Sequence, residues 1–257
     1  VQPAAFPEKV SGVVRFDKVS FRYPGSTEDV LHRIDFTARP GEVTAILGTT
    51  GAGKSTLVSL VPRFYDVTEG SVSVDGVDVR SVGQKALRDL IGFVPQKASL
   101  FSGTVESNLR YAREDADHED LDAALEIAQA KEFVKALPEG AAAPVSQGGT
   151  NLSGGQRQRL TIARALMKKG PIFIFDDSFS ALDFTTDKKL RAALSEKLAD
   201  STVILVTQRV ATIKAADQII VLDEGRMVGK GRHVELMETC EVYRDIALSQ
   251  LSQEELV

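Results

Sequence analysis

The sequence is poor in cysteine, in long apolar runs and in excess positive charge, and each shortage excludes a class of protein. A single cysteine, Cys240, cannot form an internal disulfide framework and indicates a reduced, cytosolic chain. No apolar run approaches the ~18–20 residues that span a bilayer, and the first residues do not resemble a signal peptide. The formal net charge of -5 argues against a general nucleic-acid surface, so no nucleic-acid partner is expected.

The sequence does contain enough apolar material for a core, since 43% of its 257 residues are hydrophobic and 26% are charged. Strand-like runs such as "VVRFDKVSFRY" and "EVTAILG" precede a helix that we expect from Lys54 through "STLVSLVPRFY". The run "GSVSVDGVDV" predicts a hairpin turning at Asp75-Gly76, and "HEDLDAALEIAQAKEFVKAL" predicts a helix over 118–137. Farther on, the strands "IFIFD" and "TVILVTQ" alternate with helices, as in a parallel α/β core. The helical stretch over about residues 97–169 is expected to form a second lobe inserted into that core.

The segment "GTTGAGKST" fits the pattern G-x-x-x-x-G-K-[ST] and lies between a predicted strand and a predicted helix. Glycines let the backbone wrap around phosphates, so that its N–H groups face the anion. Lys54 can then reach the outer phosphates of a nucleotide, and Ser55 can bind Mg²⁺. The residues expected to cradle the nucleotide are Gly48, Thr49, Thr50, Gly51, Ala52, Gly53, Lys54, Ser55 and Thr56.

A second motif, "IFIFD", ends an apolar strand at Asp176, which is placed to hold Mg²⁺ through water. These two motifs leave several classes of ATP- or GTP-hydrolysing protein open, including GTPases, recombinases, helicases and transport ATPases. The sequence contains no N-K-x-D motif for reading a guanine base, which argues against a GTPase.

The stretch "NLSGGQRQR", residues 151–159, resembles the signature motif of the ATP-binding cassette (ABC) ATPases. The phosphate motif, this signature and "SALD" follow one another in that family's order, and the resemblance covers roughly residues 12–248. It implies an α/β fold of the P-loop NTPase class, with a RecA-like parallel-sheet core, an N-terminal antiparallel β subdomain and an inserted α-helical subdomain. It also implies a linker from a transmembrane domain over 1–12, a nucleotide-binding domain over 13–248 and a C-terminal tail over 249–257.

The resemblance further implies a role for one residue or more in each motif. In the family, ATP lies between the phosphate motif of one chain and the signature of a second chain in a head-to-tail dimer. Tyr23 would stack on the adenine, Gln96 would touch Mg²⁺ and sense the membrane domain, and Ser180–Asp183 would form a loop facing the partner. The signature residues implied to bind the partner's ATP are Ser153, Gly154, Gly155 and Gln156.

The runs "FSGTVESNLRYA" and "PVSQGGTNLSGGQ" resemble exporter-type cassettes, which are fused in their own chain to a transmembrane domain. The resemblance then implies that Ser146–Gly149 lies near the coupling helices of the transmembrane domains. It places the chain at the cytoplasmic face of the cell membrane, as a nucleotide-binding domain of a longer polypeptide. The alternative is a separate soluble subunit, as in importers.

Two positions depart from the family's pattern. Asp177 stands where the catalytic glutamate usually does, and Gln208 replaces the switch histidine. Aspartate is shorter by about 1.5 Å of reach, and a neutral glutamine cannot make a charge-assisted hydrogen bond. We therefore predict that Lys54, Gln96, Asp177 and Gln208 form a slow catalytic site in one half of a heterodimer. The alternative is that Asp177 shifts slightly and hydrolyses ATP at a useful rate in a homodimer.

Two other functions fit part of the motif set. One is a non-transport ABC ATPase that acts on DNA or ribosomes, but the sequence has no long coiled-coil insertion, zinc-ligand cysteine set or second cassette. The other is a regulatory protein that binds ATP without hydrolysing it, which the complete magnesium pair, Ser55 and Asp176, makes less attractive.

Overall fold

The computed structural model describes residues 4–251. Its strands are β1 (Val14–Phe21), β2 (Leu31–Ala38), β3 (Val43–Gly48), β4 (Glu69–Val74), β5 (Val77–Asp78), β6 (Ile91–Val94), β7 (Gly103–Thr104), β8 (Pro144–Val145), β9 (Ile172–Asp176), β10 (Thr202–Val206), β11 (Gln218–Asp223) and β12 (Arg226–Gly231). Its helices are α1 (Lys54–Ser59), α2 (Gln84–Asp89), α3 (Val105–Arg110), α4 (His118–Ile127), α5 (Lys131–Lys135), α6 (Gly154–Leu166), α7 (Phe184–Lys197), α8 (Val210–Ile213), α9 (His233–Thr239) and α10 (Glu241–Gln250).

The described chain divides into two compact units. The first unit is formed by residues 4–91, 171–176 and 200–251, and the second by residues 92–170 and 177–199. One of the points where the chain passes from one unit to the other lies between the adjacent residues Asp176 and Asp177. The predicted domain limits remain predictions, since a division into compact units is a different criterion.

An antiparallel sheet in the first unit has the strand order β2-β1-β4-β5. Phe16 of β1 lies opposite Phe36 of β2, and their fully buried rings stack with centroids 4.6 Å apart. Aromatic pairs of this kind between strands stabilise a sheet beyond simple burial. The predicted hairpin is confirmed, because β4 and β5 pair antiparallel on either side of Asp75 and Gly76.

A mostly parallel sheet forms the core of the same unit, in the order β12-β11-β3-β10-β9, and β6 begins at its outer edge. The strands β3, β9 and β10 carry nearly continuous apolar, buried sequence, as strands covered on both faces do. Val206 at the end of β10 pairs with Ile46 of β3 on one side and with Asp176 of β9 on the other. The carboxyl ends of three neighbouring strands therefore meet at one edge of the sheet.

Helices α3 to α7 and the short antiparallel ribbon of β7 and β8 make up the second unit. Helix α6 packs against α3 and α4, and it buries Leu160, Ile162 and Ala163 completely. The predicted fold class, an α/β protein with an antiparallel β part and a helical part, is confirmed. Among residues 4–251 no helix has both the length and the apolar character to cross a bilayer.

Two predicted helices are shorter than expected. The helix predicted through "STLVSLVPRFY" ends at Ser59, because Pro62 has no N–H to continue the hydrogen-bonded ladder. The helix predicted over 118–137 is interrupted, since α4 ends at Ile127 and Gln129 adopts a left-handed φ of 55° before α5 begins. A left-handed residue cannot continue a right-handed helix, although the apolar spacing runs on past it.

Candidate functional site

The predicted phosphate cradle is a tight loop from the end of β3 to the start of α1. Gly53, which precedes the helix, has a φ of 93°, a conformation that favours glycine. A Cβ on Gly48 would lie 2.2 Å from the carbonyl oxygen of Leu222 in the neighbouring strand β11. The two outer glycines of the motif are therefore required by backbone geometry, and the intervening loop turns between them.

Lys54 lies at the first position of α1 with only 8% of its surface exposed. Its Nζ donates hydrogen bonds to the carbonyl oxygens of Gly48 (2.8 Å) and Thr49 (2.7 Å). The ammonium group of Lys54 is therefore held against the glycine-rich loop that precedes α1. A cation fixed in this position suits the binding of phosphate oxygens.

Ser55 and Asp176 are 121 residues apart in sequence but in contact in the structure. The Ser55 hydroxyl donates a 2.9 Å hydrogen bond to Oδ1 of Asp176, which is 5% exposed at the end of β9. The contact follows from the topology, since β10 alone separates β9 from β3. A hydroxyl and a carboxylate supply oxygen ligands, which are the ligands that Mg²⁺ prefers.

Tyr23 lies beside the same helix. Its hydroxyl shares a 2.8 Å hydrogen bond with the hydroxyl of Thr56, and its ring meets the ring of Tyr65 edge to face with centroids 5.2 Å apart. Phe21, which is buried, contacts both tyrosine rings. The predicted adenine-stacking residue is therefore fixed by a polar contact and by aromatic neighbours. Sequence reasoning missed Tyr65, for which the only signal was an aromatic pair after α1.

Asp177 follows Asp176 directly but has a different backbone conformation, with a φ of 43°. Its carbonyl oxygen accepts a 3.0 Å hydrogen bond from the Ser180 hydroxyl. Next to it, the buried hydroxyl of Ser178 donates to the carbonyl oxygen of Val94, two residues before Gln96. The turn that carries Asp177 is thereby joined to the strand that leads to the exposed Gln96.

The signature segment begins helix α6 with a reciprocal cap. The Ser153 hydroxyl accepts from the N–H of Gln156 at 3.2 Å, and Oε1 of Gln156 accepts from the N–H of Ser153 at 2.9 Å. Ser153 and Gly154 are exposed. A Cβ on Gly155 would lie 3.5 Å from the carbonyl oxygen of Ala181, so the signature lies against the "SALD" loop.

Asp183 ends that loop and caps helix α7. Its Oδ1 accepts a 3.0 Å hydrogen bond from the N–H of Thr186, and hydrogen bonds from Thr186 hold the pKa of Asp183 below its ordinary value. The carboxylate is therefore charged at neutral pH on an exposed surface. In a separate loop, Ser146–Gly149 forms a turn that Asn151 closes, since its Oδ1 accepts from the N–H of Ser146 at 3.0 Å.

Residues 31–180 match the protein family described as ABC transporter, and they make up more than half of the chain. The chain belongs to the ABC transporter family. An uncharacterised ABC transporter ATP-binding protein of Mycobacterium tuberculosis is 50% identical over 249 residues, which is 95% of this chain and 42% of the relative. An ATP-dependent lipid A-core flippase of Pseudomonas aeruginosa is 43% identical over 231 residues, which is 90% of this chain and 38% of the relative.

Among solved structures, a bacterial Atm1-family ABC exporter with ATP bound matches with a TM-score of 0.92 and 36% identity. The match covers 98% of this chain and 44% of the exporter chain. The ABC chain described here thus spans less than half the length of the relatives that it matches. The predicted family, fold and enzyme class, an ABC-type ATPase, are confirmed.

Gln208, the second departure from the ABC pattern, follows β10 with its side chain exposed. Its carbonyl oxygen accepts a 2.7 Å hydrogen bond from Nε2 of Gln250 at the end of α10. Sequence reasoning missed Gln250 and placed it in a tail, because its amide carries no motif and lies 42 residues from its partner.

Proposed function

We propose that this chain is the ATP-binding and ATP-hydrolysing domain of an ABC exporter and works at the cytoplasmic face of the cell membrane. The observation that carries the proposal is the 2.9 Å contact between Ser55 and Asp176 beside the glycine-rich loop, in a chain of this family. The proteins that this chain resembles also include an ATP-dependent flippase and an exporter whose structure contains ATP. This chain matches less than half the length of those relatives, and the remainder is long enough to contain transmembrane domains.

In this proposal ATP binds at the glycine-rich loop between β3 and α1. The loop of residues 48–56 cradles the phosphates, Lys54 binds the outer phosphate oxygens, and Tyr23 stacks on the adenine. Bound Mg²⁺ would neutralise charge that develops on the phosphates, and Ser55, Asp176 and Gln96 would hold it. The two oxygen ligands already in contact, Ser55 and Asp176, fit that ion.

Hydrolysis is proposed to be slow at this chain's own site. Asp177 would have to act as the base for the attacking water, and a base must come within about 2.6–3.2 Å of the proton that it removes. Its shorter side chain and left-handed backbone both change where the carboxylate lies, compared with a glutamate in an ordinary conformation. Gln208 can donate a hydrogen bond to the γ-phosphate but brings no positive charge.

We further propose that the chain pairs head to tail with a second, non-identical cassette. The capped start of α6 presents Ser153, Gly154 and Gly155 for the partner's γ-phosphate, and Asp183 faces the partner. The intact signature would complete a fast site on a partner that supplies its own glutamate and histidine. The loops at Gln96 and Ser146–Gly149 would contact the coupling helices of the transmembrane domains.

Steady-state ATP hydrolysis by the native chain and by its Asp177→Glu/Gln208→His variant tests this proposal. We expect the native chain to bind ATP and to turn over slowly, and the double variant to be about 100-fold faster. The Lys85→Ala variant, which changes a lysine whose side chain is 90% exposed, controls for surface changes. A native chain that hydrolyses ATP briskly, with little gain in the variant, would favour the homodimer. A native chain that does not bind ATP would overturn the proposed function itself.

A further inference from the structure

The last residue of α10, Gln250, bonds to the backbone on both sides of Arg209. Its Nε2 donates to the carbonyl oxygen of Gln208 at 2.7 Å, and its Oε1 accepts from the N–H of Val210 at 2.9 Å. One planar amide therefore satisfies an acceptor and a donor that are two residues apart. The pattern reproduces the reciprocal pairing of one strand with another and fixes the amide plane as well as its distance.

The bond to Val210 replaces a local helix cap. Val210 is the first residue of α8, and Arg209 at the cap position makes no side-chain hydrogen bond to the helix. The first N–H groups of any helix have no partner within it. Gln250, 40 residues away in sequence, supplies the partner for the N–H of Val210. The side chain of Val210 is fully buried.

The other end of the same loop is fixed to the phosphate-binding strand. The N–H of Thr207 donates to the carbonyl oxygen of Ile46 in β3 at 3.2 Å, and the Thr207 hydroxyl accepts from the N–H of Arg209 at 3.1 Å. Thr207 is 4% exposed, whereas the side chain of Gln208 is exposed. Gln208 is thus an exposed side chain between two anchored backbone points, one of which depends on Gln250.

Helix α10 is a firm support for this contact. Tyr243 is fully buried, and its hydroxyl shares a 2.7 Å hydrogen bond with Nδ1 of His233 at the start of α9. Nε of Arg244 donates to the carbonyl oxygen of Met237 in α9 at 2.8 Å. Because α9 and α10 are joined in this way, Gln250 cannot move away from the loop without moving the helix pair or breaking its two bonds.

We propose that Gln250 is a positioning residue for ATP hydrolysis, which holds the backbone of residue 208 so that its side chain meets the γ-phosphate. The inference rests on the proposed function, in which Gln208 makes that contact. The residues proposed to bind the rest of the nucleotide are positioned elsewhere, since Lys54 bonds to the carbonyl oxygens of Gly48 and Thr49 and Tyr23 bonds to Thr56. Loss of the two hydrogen bonds of Gln250 should therefore slow the chemical step and leave the affinity for ATP unchanged. A displacement of about 1 Å at a reacting group can cost ~100-fold in rate.

The test compares Gln250→Met, which keeps the length and removes both hydrogen bonds, with Gln250→Glu, which keeps the acceptor for Val210 alone. Ser249→Ala is the matched control, because within residues 4–251 the Ser249 hydroxyl donates to the carbonyl oxygen of Ile246 in its own helix. Single-turnover hydrolysis of radiolabelled ATP gives the rate constant, ATP titration gives the Kd, and amide exchange followed by NMR reports on the Val210 N–H. Each variant is made in the native chain and in a Gln208→Ala chain.

We expect Gln250→Met to speed exchange of the Val210 amide and to lower the rate constant about 10- to 100-fold at unchanged Kd. Gln250→Glu should lie between Gln250→Met and the native chain, and Ser249→Ala should match the native chain. In the Gln208→Ala chain the effect of Gln250→Met on the rate should disappear.

The inference would be overturned if Gln250→Met left exchange of the Val210 amide unchanged. It would also be overturned if Gln208→Ala slowed hydrolysis but Gln250→Met did not. If Gln208→Ala has no effect on the rate, the proposed role of Gln208 fails first. A rate loss in Gln250→Met under that condition would also overturn the inference, because the loss would not act through residue 208.

Discussion

Asp176 and Asp177 are adjacent in sequence and have the same side chain, but they differ in secondary structure, burial and backbone conformation. Asp176 ends a buried strand, is 5% exposed and accepts a hydrogen bond from Ser55 at the phosphate loop. Asp177 belongs to the second unit, is half-buried and has a left-handed backbone. Asp176, which is proposed to hold Mg²⁺, is therefore fixed by the sheet, whereas Asp177 and Gln208, which are proposed to take part in hydrolysis, lie in turns just after strand ends. In the proposed function, magnesium binding and hydrolysis therefore depend on different residues and can change separately.

The largest effect should come from Asp176→Asn, which keeps the size of the side chain and removes its charge. We expect the affinity for ATP in the presence of Mg²⁺ to fall by about 10- to 100-fold, because a ligand of the ion is weakened. Binding measured with and without Mg²⁺ should show that the loss is confined to the magnesium-dependent part. Asp115→Asn, at a side chain that is 90% exposed, is the control. Equal losses in both conditions would contradict a role for Asp176 at the metal.

Asp177→Asn should have the opposite profile. We expect unchanged affinity for ATP and a further fall of the slow hydrolysis by about tenfold or more, because the amide cannot accept a proton. Single-turnover hydrolysis and ATP titration on the same samples would measure both quantities. If hydrolysis is unaffected, Asp177 is not the base, and the chain binds ATP at this site without using it to activate water.

The sequence could predict the contacts that follow from a local motif or from neighbouring strands, but not those that depend on the details of the folded structure. The phosphate loop and the Ser55–Asp176 pair were predictable, since glycine spacing is local and neighbouring parallel strands end at the same edge. The left-handed conformation of Asp177 was not, because aspartate only mildly favours it and the surrounding hydrogen bonds decide. Gln250 was not either, since a side-chain amide can bond to any backbone group that the fold brings near.

A smaller effect should separate the backbone of Asp177 from its chemistry. Left-handed φ is tolerated by glycine and, among other residues, better by aspartate and asparagine than by most. We expect Asp177→Ala to lower the free energy of unfolding by about 1 kcal/mol, and Asp177→Gly to lower it less or not at all. Urea denaturation of both variants beside Asp177→Asn measures this. If Asp177→Ala is as stable as Asp177→Gly, backbone strain does not favour aspartate at this position.

The smallest effect should come from Asp75, an aspartate with a similar φ of 48° and no proposed part in catalysis. Its carboxylate accepts hydrogen bonds from the hydroxyl of Ser11 and from the N–H groups of Ser11, Gly12 and Val13, at 2.6 to 3.2 Å. Partial burial disfavours its charged form, but these hydrogen bonds outweigh burial and hold the pKa of Asp75 below its ordinary value of 3.8.

A carboxyl whose pKa is lowered by folding stabilises the native state above its ordinary pKa, and this contribution is lost as the pH falls through the lowered value. Asp75→Asn should therefore lower the free energy of unfolding by only about 0.5 kcal/mol at neutral pH, and the deficit should shrink as the pH drops below about 4. The backbone strain is unchanged in this variant, since asparagine tolerates the same conformation. Urea denaturation of both chains across that range measures the difference. A deficit that stays constant with pH would mean that the charge of Asp75 does not contribute to stability.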